Sequence, residues 1–547
     1  MRKTFACFFV VIATLTLRIS AATQTVPAGD IVTQTNLLKT VGEYQTIKLS
    51  AGVYDLSSLT NKPMYTDWMG KTLLTCPIGT TITGATSNPN DVVLKGAGRY
   101  RILVVPGGCK VKNLTFSGGN ANDPSNFKYD YGGAFSTTGG TTPECNNCIF
   151  TNNFARRYGG AVASVNCTKC YFYDNQVTGG SSYGGAGYKG KFEKCVFAGN
   201  TAVGDEYGCG GALYLASLVS GCTAVSNRAT HKGGALFECK NIKDSTFCFN
   251  AAATSAAVNP RGGAASDCGT FTNCVFEYNM ASSYAHALCN GSAFGSTFCF
   301  NGNAHHGVDG SYRGKFERCT FVGSSIRNAE LYDCRVLSVS SSVDVVGNVY
   351  FGDKTLGNTY GFVDCSLIRN SLISDLWLTN AVNNACFYSN GSIPVKVENC
   401  TIVDNVYQYA LRNYNSSSCS AAFVNTVFAR NKMHNRSTAC DMSGYEAKYT
   451  SFTNCYIGVM NLVQDSSCGF VDSFVIGKNW NPAFLEEGDY PYATKTRSKL
   501  CGAGLILDWM TEDAVDLAGN PRVRDGKVDI GCYQNWLMPL GMSLKVR

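Results

Sequence analysis

The 547-residue chain carries little charge: only 16% of its residues are Asp, Glu, Lys or Arg, and it has no dense run of Lys and Arg. Nucleic-acid binding therefore has little support. With 45% hydrophobic residues, the chain is too apolar to be disordered and too weakly charged for an ordinary globular surface. These proportions favour a folded protein whose surface consists mainly of uncharged turn residues such as Asn, Ser, Thr and Gly.

Other missing patterns exclude further classes of protein. The chain lacks long stretches with a 3.6-residue hydrophobic period, which excludes helical repeats. Leu does not recur at the repeat positions, which excludes leucine-rich repeats. A nucleophile elbow, a phosphate-binding loop and a metalloprotease motif are all missing. We therefore expect no cofactor and no bound metal, and we assign no catalytic residue.

The chain is also poor in long apolar runs, and the clearest one lies at its N-terminus. Residues 5–17 are mostly apolar, follow Arg2 and Lys3, and precede the small residues Ser20-Ala21-Ala22. This pattern predicts a secretory signal peptide in residues 1–22. Its removal lowers the formal net charge from +7 to +4. A membrane anchor is less favoured because a basic residue interrupts the run, and no membrane-spanning segment is expected in the mature chain. We therefore expect a secreted, extracellular or cell-surface protein.

The most regular feature that is present is the tripeptide Gly-Gly-Ala. It recurs at intervals of 27, 25, 26, 23 and 29 residues. A period in the twenties indicates a small unit that cannot bury its own core and must stack on its neighbours. The six copies occupy residues 132–134, 159–161, 184–186, 210–212, 233–235 and 262–264.

A second motif, Cys-x-Phe-x-x-Asn, alternates with the first. Residues two apart in a strand share a face, so Cys and Phe are both expected to point inward. Asn follows where the strand ends, and we expect it to adopt a left-handed backbone and to bond to nearby backbone groups. The Gly pair provides another bend, and Ala occupies a place for a small inward side chain. The clearest copies are Cys148/Phe150/Asn153, Cys170/Phe172/Asn175, Cys195/Phe197/Asn200 and Cys274/Phe276/Asn279.

The two motifs together predict an all-β fold, a right-handed single-stranded parallel β-helix, or β-solenoid, of about a dozen coils. At the spacing of adjacent strands, this makes a rod about 60 Å long. We divide the chain into a signal peptide (1–22), an N-terminal cap and first coil (23–70), the parallel β-helix (71–480) and a C-terminal coil or closure (481–547). The repeat becomes irregular over residues 305–480.

The 27 cysteines form a pattern of their own. Eight of them hold the same place in their coils, which favours mostly buried thiols over disulfides. They are Cys148, Cys170, Cys195, Cys222, Cys274, Cys319, Cys365 and Cys400. The doublets Cys145/Cys148 and Cys167/Cys170 resemble half zinc sites. However, the second cysteine of each doublet is the inward one, and a shared metal needs all four on one side. A Cys145–Cys167 bridge between coils is the favoured interpretation there.

Candidate binding residues precede the Gly-Gly-Ala motif. They are Tyr131, Tyr158 and Tyr183 on three successive coils, and Tyr284 before the degenerate copy at 285–287. Equivalent positions stack in a solenoid, so these tyrosines predict an exposed stripe suited to sugar rings or a protein partner. The alternative is an aromatic column that stacks only on itself and stabilises the turn.

The Gly-Gly-Ala and Phe-x-x-Asn motifs resemble the repeats of chlamydial-type polymorphic outer membrane proteins, within the wider set of bacterial secreted right-handed parallel β-helix proteins. The resemblance covers roughly residues 75–535. Residues 80–84 and 92–96 are similar to the opening coils of that set, and residues 516–522 and 528–533 look like its terminal motif. It implies a β-helix with surface display, adhesion or polysaccharide contact. We expect this chain to lack the C-terminal membrane β-barrel of polymorphic outer membrane proteins.

Three functions remain open. The leading interpretation is a non-catalytic, adhesin-like binding protein that contacts a polysaccharide or an extracellular protein. The first alternative is a polysaccharide lyase or glycoside hydrolase with its site on the irregular coils 305–480. The second alternative is a structural extracellular rod.

The enzyme alternative requires paired carboxylates, or acidic calcium ligands with a basic residue. The acidic pairs Asp123/Asp130 and Asp205/Glu206 do not recur at one place in adjacent coils. His305-His306 with Asp309 is the only histidine cluster in the sequence. A solvated loop is the favoured interpretation of that cluster, because a functional one needs convergent geometry.

Overall fold

The computed structural model describes residues 23–536 with gaps. The predicted signal peptide, Tyr284 and the His305/His306/Asp309 cluster lie outside the described residues, as do Asp123 and Glu206. The gaps are 29–45, 60–64, 68–69, 123–129, 206, 254–259, 284, 303–310, 323–325, 333–334, 338–342, 347, 352–359, 364–366, 375–384, 390–394, 408, 414–420, 434–441, 446–449, 464–468, 476–480, 489 and 491.

Parallel strands of successive turns pair in register and build a β-solenoid of about 11 turns, which confirms the predicted fold class. Strand Ile149–Thr151, for example, pairs with Tyr171–Tyr173, which pairs in turn with Val196–Ala198. Helical structure in the described residues is limited to two short 3-10 segments, Ser57–Leu59 and Pro89–Asp91. No helix among these residues reaches the length and hydropathy needed to span a bilayer.

The strands form three main sheets along the solenoid. The first sheet contains Thr23–Val26, Thr46–Leu49, Tyr65–Asp67, Gly70–Thr75, Thr81–Gly84, Arg101–Val105, Lys110–Lys112, Phe135–Thr137, Glu144–Asn146, Val162–Ala163, Asn166–Thr168, Gly187–Tyr188, Lys191–Glu193, Leu213–Tyr214, Leu218–Ser220, Leu236–Phe237, Asn241–Lys243, Ala265–Ser266, Thr270–Thr272, Leu288–Cys289, Ser292–Phe294, Ser311–Glu317, Ile326–Tyr332, Tyr360–Val363, Leu367–Arg369, Ala385–Ser389, Val395–Glu398, Tyr409–Asn413, Ala421–Val424, Met442–Tyr445, Thr450–Thr453, Met460–Val463 and Gly469–Val471. The second contains Gly52–Asp55, Val92–Lys95, Thr115–Ser117, Ile149–Thr151, Tyr171–Tyr173, Val196–Ala198, Thr223–Val225, Thr246–Cys248, Val275–Glu277, Thr297–Cys299, Thr320–Val322, Arg335–Leu337, Leu372–Ser374, Thr401–Val403, Val427–Ala429, Tyr456–Ile457 and Phe474–Val475. The third contains Asn120–Ala121, Phe154–Ala155, Gln176–Val177, Thr201–Ala202, Arg228–Ala229, Ala251–Ala252 and Met280–Ala281. Smaller pairs are Ser181–Tyr183 with Tyr207–Cys209, Val343–Val346 with Asn348–Phe351, and Val406–Tyr407 with Lys432–Met433.

A column of phenylalanines fills the interior beneath the second sheet. Phe116, Phe150, Phe172 and Phe197 are each 0–1% exposed. Successive ring centroids are 5.1, 4.9 and 4.8 Å apart, and the rings are nearly parallel. This separation is close to the spacing of paired strands, so the rings stack because the backbone is in register.

The Gly-Gly pairs are required by the backbone conformation and by the close approach of the next turn, not by a need for flexibility. The first glycine of each motif adopts a left-handed conformation, with φ of 60° at Gly159. At the second glycine the next turn approaches too closely for a side chain. A Cβ on Gly160 would collide with the carbonyl oxygen of Gly185. The motif is therefore a bend that lets neighbouring turns pack against each other.

The Asn of the second motif forms a buried ladder of side-chain hydrogen bonds. The sequence predicted instead that this Asn adopts the left-handed backbone conformation. The residue before it, such as Asn152 with φ 53° or Asp174 with φ 52°, takes the left-handed conformation. The ladder side chain instead joins the turns. Asn200 Oδ1 accepts from the backbone N and the Nδ2 of Asn175, and Asn200 Nδ2 donates to Phe172 O. The ladder continues through Asn153, Asn175, Asn200, Asn227, Asn250, Asn279 and Asn301.

The cysteines line the same interior. All 21 described cysteines are free, and all but Cys248, Cys299 and Cys501 are buried. The interpretation that only the second cysteine of each doublet faces inward is wrong. Cys145 and Cys167 are 1% exposed, because each sits at the inward position at the centre of its own strand.

The C-terminal segment packs along the side of the solenoid. Asn370 Nδ2 donates to Val515 O, and Asn425 Nδ2 donates to Leu505 O, both at 2.8 Å. A second apolar cluster, which includes Phe484 and Ile530, packs over the same turns. The segment thus covers polar turns that would otherwise face solvent.

Replacing a ladder asparagine should destabilise the solenoid. We expect Asn200→Ala to lower the free energy of unfolding by about 2–4 kcal/mol, because it leaves buried donors and an acceptor without partners. The exposed variant Asn152→Gly should change it by less than about 0.5 kcal/mol. Urea unfolding followed by circular dichroism measures both, and equal effects would contradict this role for the ladder.

Alkaline pH should destabilise the protein. Burial raises the pKa of the Cys274, Cys455 and Cys532 thiols to about 12, from an ordinary value of 9.0. Above about pH 9 the unfolded chain therefore releases thiol protons that the folded chain retains, and stability falls as pH rises. Urea unfolding under reducing conditions between pH 7 and pH 10 measures this decline. In Cys274→Ser the free energy of unfolding should fall less steeply with pH, because unfolding releases one thiol proton fewer. The slope should be smaller by up to about 1.4 kcal/mol per pH unit. A flat profile would contradict the prediction.

Candidate functional site

Three of the four predicted binding tyrosines form one column on the outside of the solenoid. Tyr131 pairs with Tyr158, and Tyr158 with Tyr183, through isolated parallel bridges. The ring centroids are 5.1 and 5.4 Å apart and the rings are within 14° of parallel. Each side chain is half-buried, so one part of each ring faces solvent.

A second aromatic column lies beside the first, and the sequence analysis missed it. Tyr188, Tyr214 and Phe237 each stand two residues after the Ala of their Gly-Gly-Ala motif. They are paired in register, with successive ring centroids 5.6 Å apart. The sequence does contain a signal for this column, because an aromatic residue recurs two positions after the Ala of the motif. Inspection of only the residue before the motif does not detect it.

The two columns interlock. The Tyr158 and Tyr188 ring centroids are 4.7 Å apart, and those of Tyr183 and Tyr214 are 4.8 Å apart. The left-handed bend at Gly159 permits this, because a Cβ there would crowd the Tyr188 backbone. We name the five half-buried tyrosines the tyrosine platform: Tyr131, Tyr158, Tyr183, Tyr188 and Tyr214.

Cations flank the platform. The Arg157 guanidinium lies 5.4 Å from the Tyr158 ring centroid, and Lys189 Nζ lies 5.0 Å from that of Tyr188. Such cations are attracted to the ring faces and remain available to an anion.

The phenol groups of Tyr131, Tyr183 and Tyr214 are neutral at physiological pH. Burial is the main cause that raises the pKa of Tyr131, Tyr183 and Tyr214 above its ordinary value. Nearby Tyr158 adds to the shift at Tyr131, and the Glu238 carboxylate adds to it at Tyr214. A neutral phenol can both donate and accept a hydrogen bond, which suits a hydroxyl-rich ligand.

A charged groove of about 430 Å³ lies on the first sheet. Lys191, in its lining, lies three residues after Tyr188, so their Cα atoms are at most about 11 Å apart. The Lys110 and Glu144 side chains pair at 3.3 Å across it. Its charged lining residues are Lys110, Lys112, Glu144, Lys191 and Glu193.

An acid–base pair lies at the other end of the platform. Lys232 Nζ is 3.2 Å from Asp267 Oδ2 and 5.5 Å from the Phe237 ring centroid. Burial opposes ionisation of Asp267, but hydrogen bonds from Asn290 and Lys232 outweigh it and lower the pKa of that carboxyl. Asp267 is therefore ionised at neutral pH.

Within the described part of residues 305–480, a buried carboxylate lies beneath the C-terminal segment. The Glu398 carboxylate is 1% exposed, and it pairs with Arg369 at 2.7 Å and also with Lys396. The Arg369 guanidinium lies 4.6 Å from the Trp509 ring centroid. This carboxylate is neutralised by two cations and covered. Of the predicted acidic pairs, Asp130 is buried and Asp205 is exposed, and their partners Asp123 and Glu206 lie outside the described residues.

No protein-family model and no curated protein matches the chain. Among solved structures, it is similar to the PL6 family alginate lyase AlyGC, with 10% identity over 85% of this chain and 91% of that chain and a TM-score of 0.30. It is also similar to a GH87 alpha-1,3-glucanase catalytic domain, with 11% identity, coverage of 81% and 69%, and a TM-score of 0.21. The periplasmic alginate epimerase AlgG gives 10% identity, coverage of 82% and 88%, and a TM-score of 0.21. These TM-scores are under 0.5, and the likenesses carry no inference about a site in this chain.

Proposed function

We propose that the protein is a secreted or cell-surface protein that binds a polysaccharide chain on the tyrosine platform. The observation that carries this proposal is the set of five half-exposed tyrosine rings, in two interlocking columns on successive turns. Flat rings with a hydroxyl group suit the apolar faces and hydroxyl groups of sugar rings. A column that follows the solenoid axis offers repeated contacts, as an extended polymer requires.

The turn itself does not require the tyrosines. After Tyr183 the first column continues with Cys209, Lys232 and Arg261, and Cys209 still pairs with Lys232 and Lys232 with Arg261. The same bend therefore forms without an aromatic ring. This favours a binding role over an aromatic column that only stabilises the turn.

The charges favour an acidic polysaccharide. Arg157 and Lys189 lie over platform rings, and Lys110, Lys112 and Lys191 line the charged groove. The groove also contains Glu144 and Glu193, so its lysines exceed its acids by one. Carboxylate or sulfate groups on the sugar would pair with these cations, and binding should weaken as salt is added.

Loss of a platform ring should weaken binding without unfolding the protein. We expect Tyr158→Ala to raise the Kd for an acidic polysaccharide about tenfold or more, equivalent to about 1.4 kcal/mol. Its Tm should change by less than about 3 °C. A glycan array identifies the ligand, and calorimetry measures the affinity.

The matched control is Tyr278→Ala. Tyr278 is also exposed and stacked, at 5.2 Å from Phe249, but it lies outside the platform. Its removal should leave the affinity unchanged. A parallel loss of affinity and Tm in Tyr158→Ala, or an equal loss of affinity in Tyr278→Ala, would count against the platform as the binding surface.

A second candidate function is cleavage of the bound polysaccharide. The observation that favours it is the ionised Asp267 paired with Lys232 at the end of the platform. A carboxylate and a lysine are groups that such reactions use.

An assay for reducing ends and unsaturated products distinguishes the two functions. The binding proposal predicts no product from the wild-type protein. A contrary result would be product from the wild type that disappears in Asp267→Asn but persists in the exposed control Asp244→Asn. That result would contradict the binding proposal and indicate an enzyme with its site at the platform. Product that disappears in Glu398→Gln would place the enzyme in residues 305–480, as the sequence alternative predicts.

A further inference from the structure

Three cysteine side chains from two neighbouring turns converge inside the solenoid. Cys145 and Cys167 are register partners in the first sheet, and Cys170 follows the bend at Lys169 that ends the second of those strands. The three Sγ atoms all lie within 4.8 Å of one another, and those of Cys145 and Cys170 are 3.8 Å apart. Each side chain is 0–1% exposed.

These separations match the space that one soft metal ion needs. A metal–thiolate bond is about 2.3 Å long, so three sulfur atoms around one ion in a plane lie about 4 Å apart. No side of the observed triangle exceeds 4.8 Å, and the Cys145–Cys170 side is 3.8 Å. The ion therefore fits through small side-chain adjustments.

The chemistry of the ligands selects the ion. All three are thiols, which prefer soft cations to magnesium or calcium. In the part of the chain that the structure describes, no fourth His, Cys, Asp or Glu joins the group at this distance. Structural zinc is almost always four-coordinate, so three ligands favour a trigonal ion. We propose that Cys145, Cys167 and Cys170 bind one Cu(I) ion.

The surroundings suit such an ion. Val111 is the register partner of Cys145 on one side, and Phe192 is the partner of Cys167 on the other, so apolar side chains shield the thiols from water. Cys145 lies on a strand whose outward neighbours, Glu144 and Asn146, line the charged groove on the outside. The groove lysines Lys110 and Lys191 lie near a site that becomes anionic when its thiols ionise.

The thiols supply the negative charge as the ion binds. Each sulfur–copper bond replaces a thiol proton, which leaves to water, and the copper keeps its oxidation state. The site does not depend on the polysaccharide proposal.

The test is a Cu(I) titration of the full reduced chain without oxygen, in competition with a chromogenic Cu(I) chelator. We expect one Cu(I) per chain and an ultraviolet thiolate-to-copper band. Cys170→Ser should weaken binding at least about 100-fold, since loss of a ligand should cost no less than loss of an outer-shell partner. Cys145→Val should do the same.

Both variants are expected to fold. Ser245 and Ser296 occupy the register position of Cys170 in other turns, and Val111 occupies that of Cys145 in the preceding turn. The matched control is Cys274→Ser, a buried thiol between Ser245 and Ser296 in the same column, which should bind Cu(I) like the wild type. Circular dichroism checks each fold.

Three results would overturn the assignment. One is unchanged Cu(I) binding in Cys170→Ser and Cys145→Val. Another is Co(II) binding with a tetrahedral thiolate spectrum, which would show a four-ligand zinc-type site. The third is a Cys145–Cys170 disulfide in the protein as purified, found by alkylation and peptide mass mapping.

Discussion

Each turn of this solenoid depends on its neighbours for its backbone hydrogen bonds. Strands of two to seven residues cannot satisfy their own donors and acceptors, so the turns must stack in register. The Asn ladder extends the same requirement into the bend, where no strand pairing is available. There the Asn200 side chain accepts from the turn before it, and the Asn200 backbone donates to the Asn227 side chain of the turn after it. A single polar column thus links consecutive turns of the repeat.

The same register determines both surfaces of the wall. Inside, the Phe172 and Phe197 rings stack at 4.8 Å. Outside, the Tyr131 and Tyr158 rings stack at 5.1 Å. The inner rings exclude water and stabilise the fold, whereas the outer rings have one solvent-facing part. One geometric rule therefore produces a core and a repeating surface from the same short sequence motif.

The sequence was sufficient to predict the parallel solenoid, because its period and the inward Phe positions are local properties of each repeat. The interior role of Asn153 and its equivalents was misread, since a left-handed bend and a buried hydrogen-bond ladder both favour asparagine. Cys145 was placed on the wrong face because the turn between two strands changes the direction of the side chains. The contact between Asn425 and Leu505 joins residues 80 apart, and nothing in the repeat pattern indicates it.

The sequence predicted one of the two aromatic columns of the candidate site. Tyr131, Tyr158 and Tyr183 share a motif position, so their alignment followed from the repeat. Tyr188 and Tyr214 share another position, but their packing against the first column depends on how the Gly-Gly bend turns the chain. Only the folded bend brings the two columns together into one surface.

Variation between turns separates structural from functional positions. Inward positions are nearly uniform: Phe172, Phe197 and Phe247 recur, with Ala224 as an exception, because each ring must pack against the next. The outward neighbours of these residues vary freely along the second sheet, since solvent imposes no common shape. The same residue type is thus expected at equivalent inward positions of successive turns. At outward positions, a repeated residue type requires another cause. The run of tyrosines at 131, 158 and 183 is uniform and outward, and it ends while the solenoid continues, which supports the proposal of a localised binding surface there.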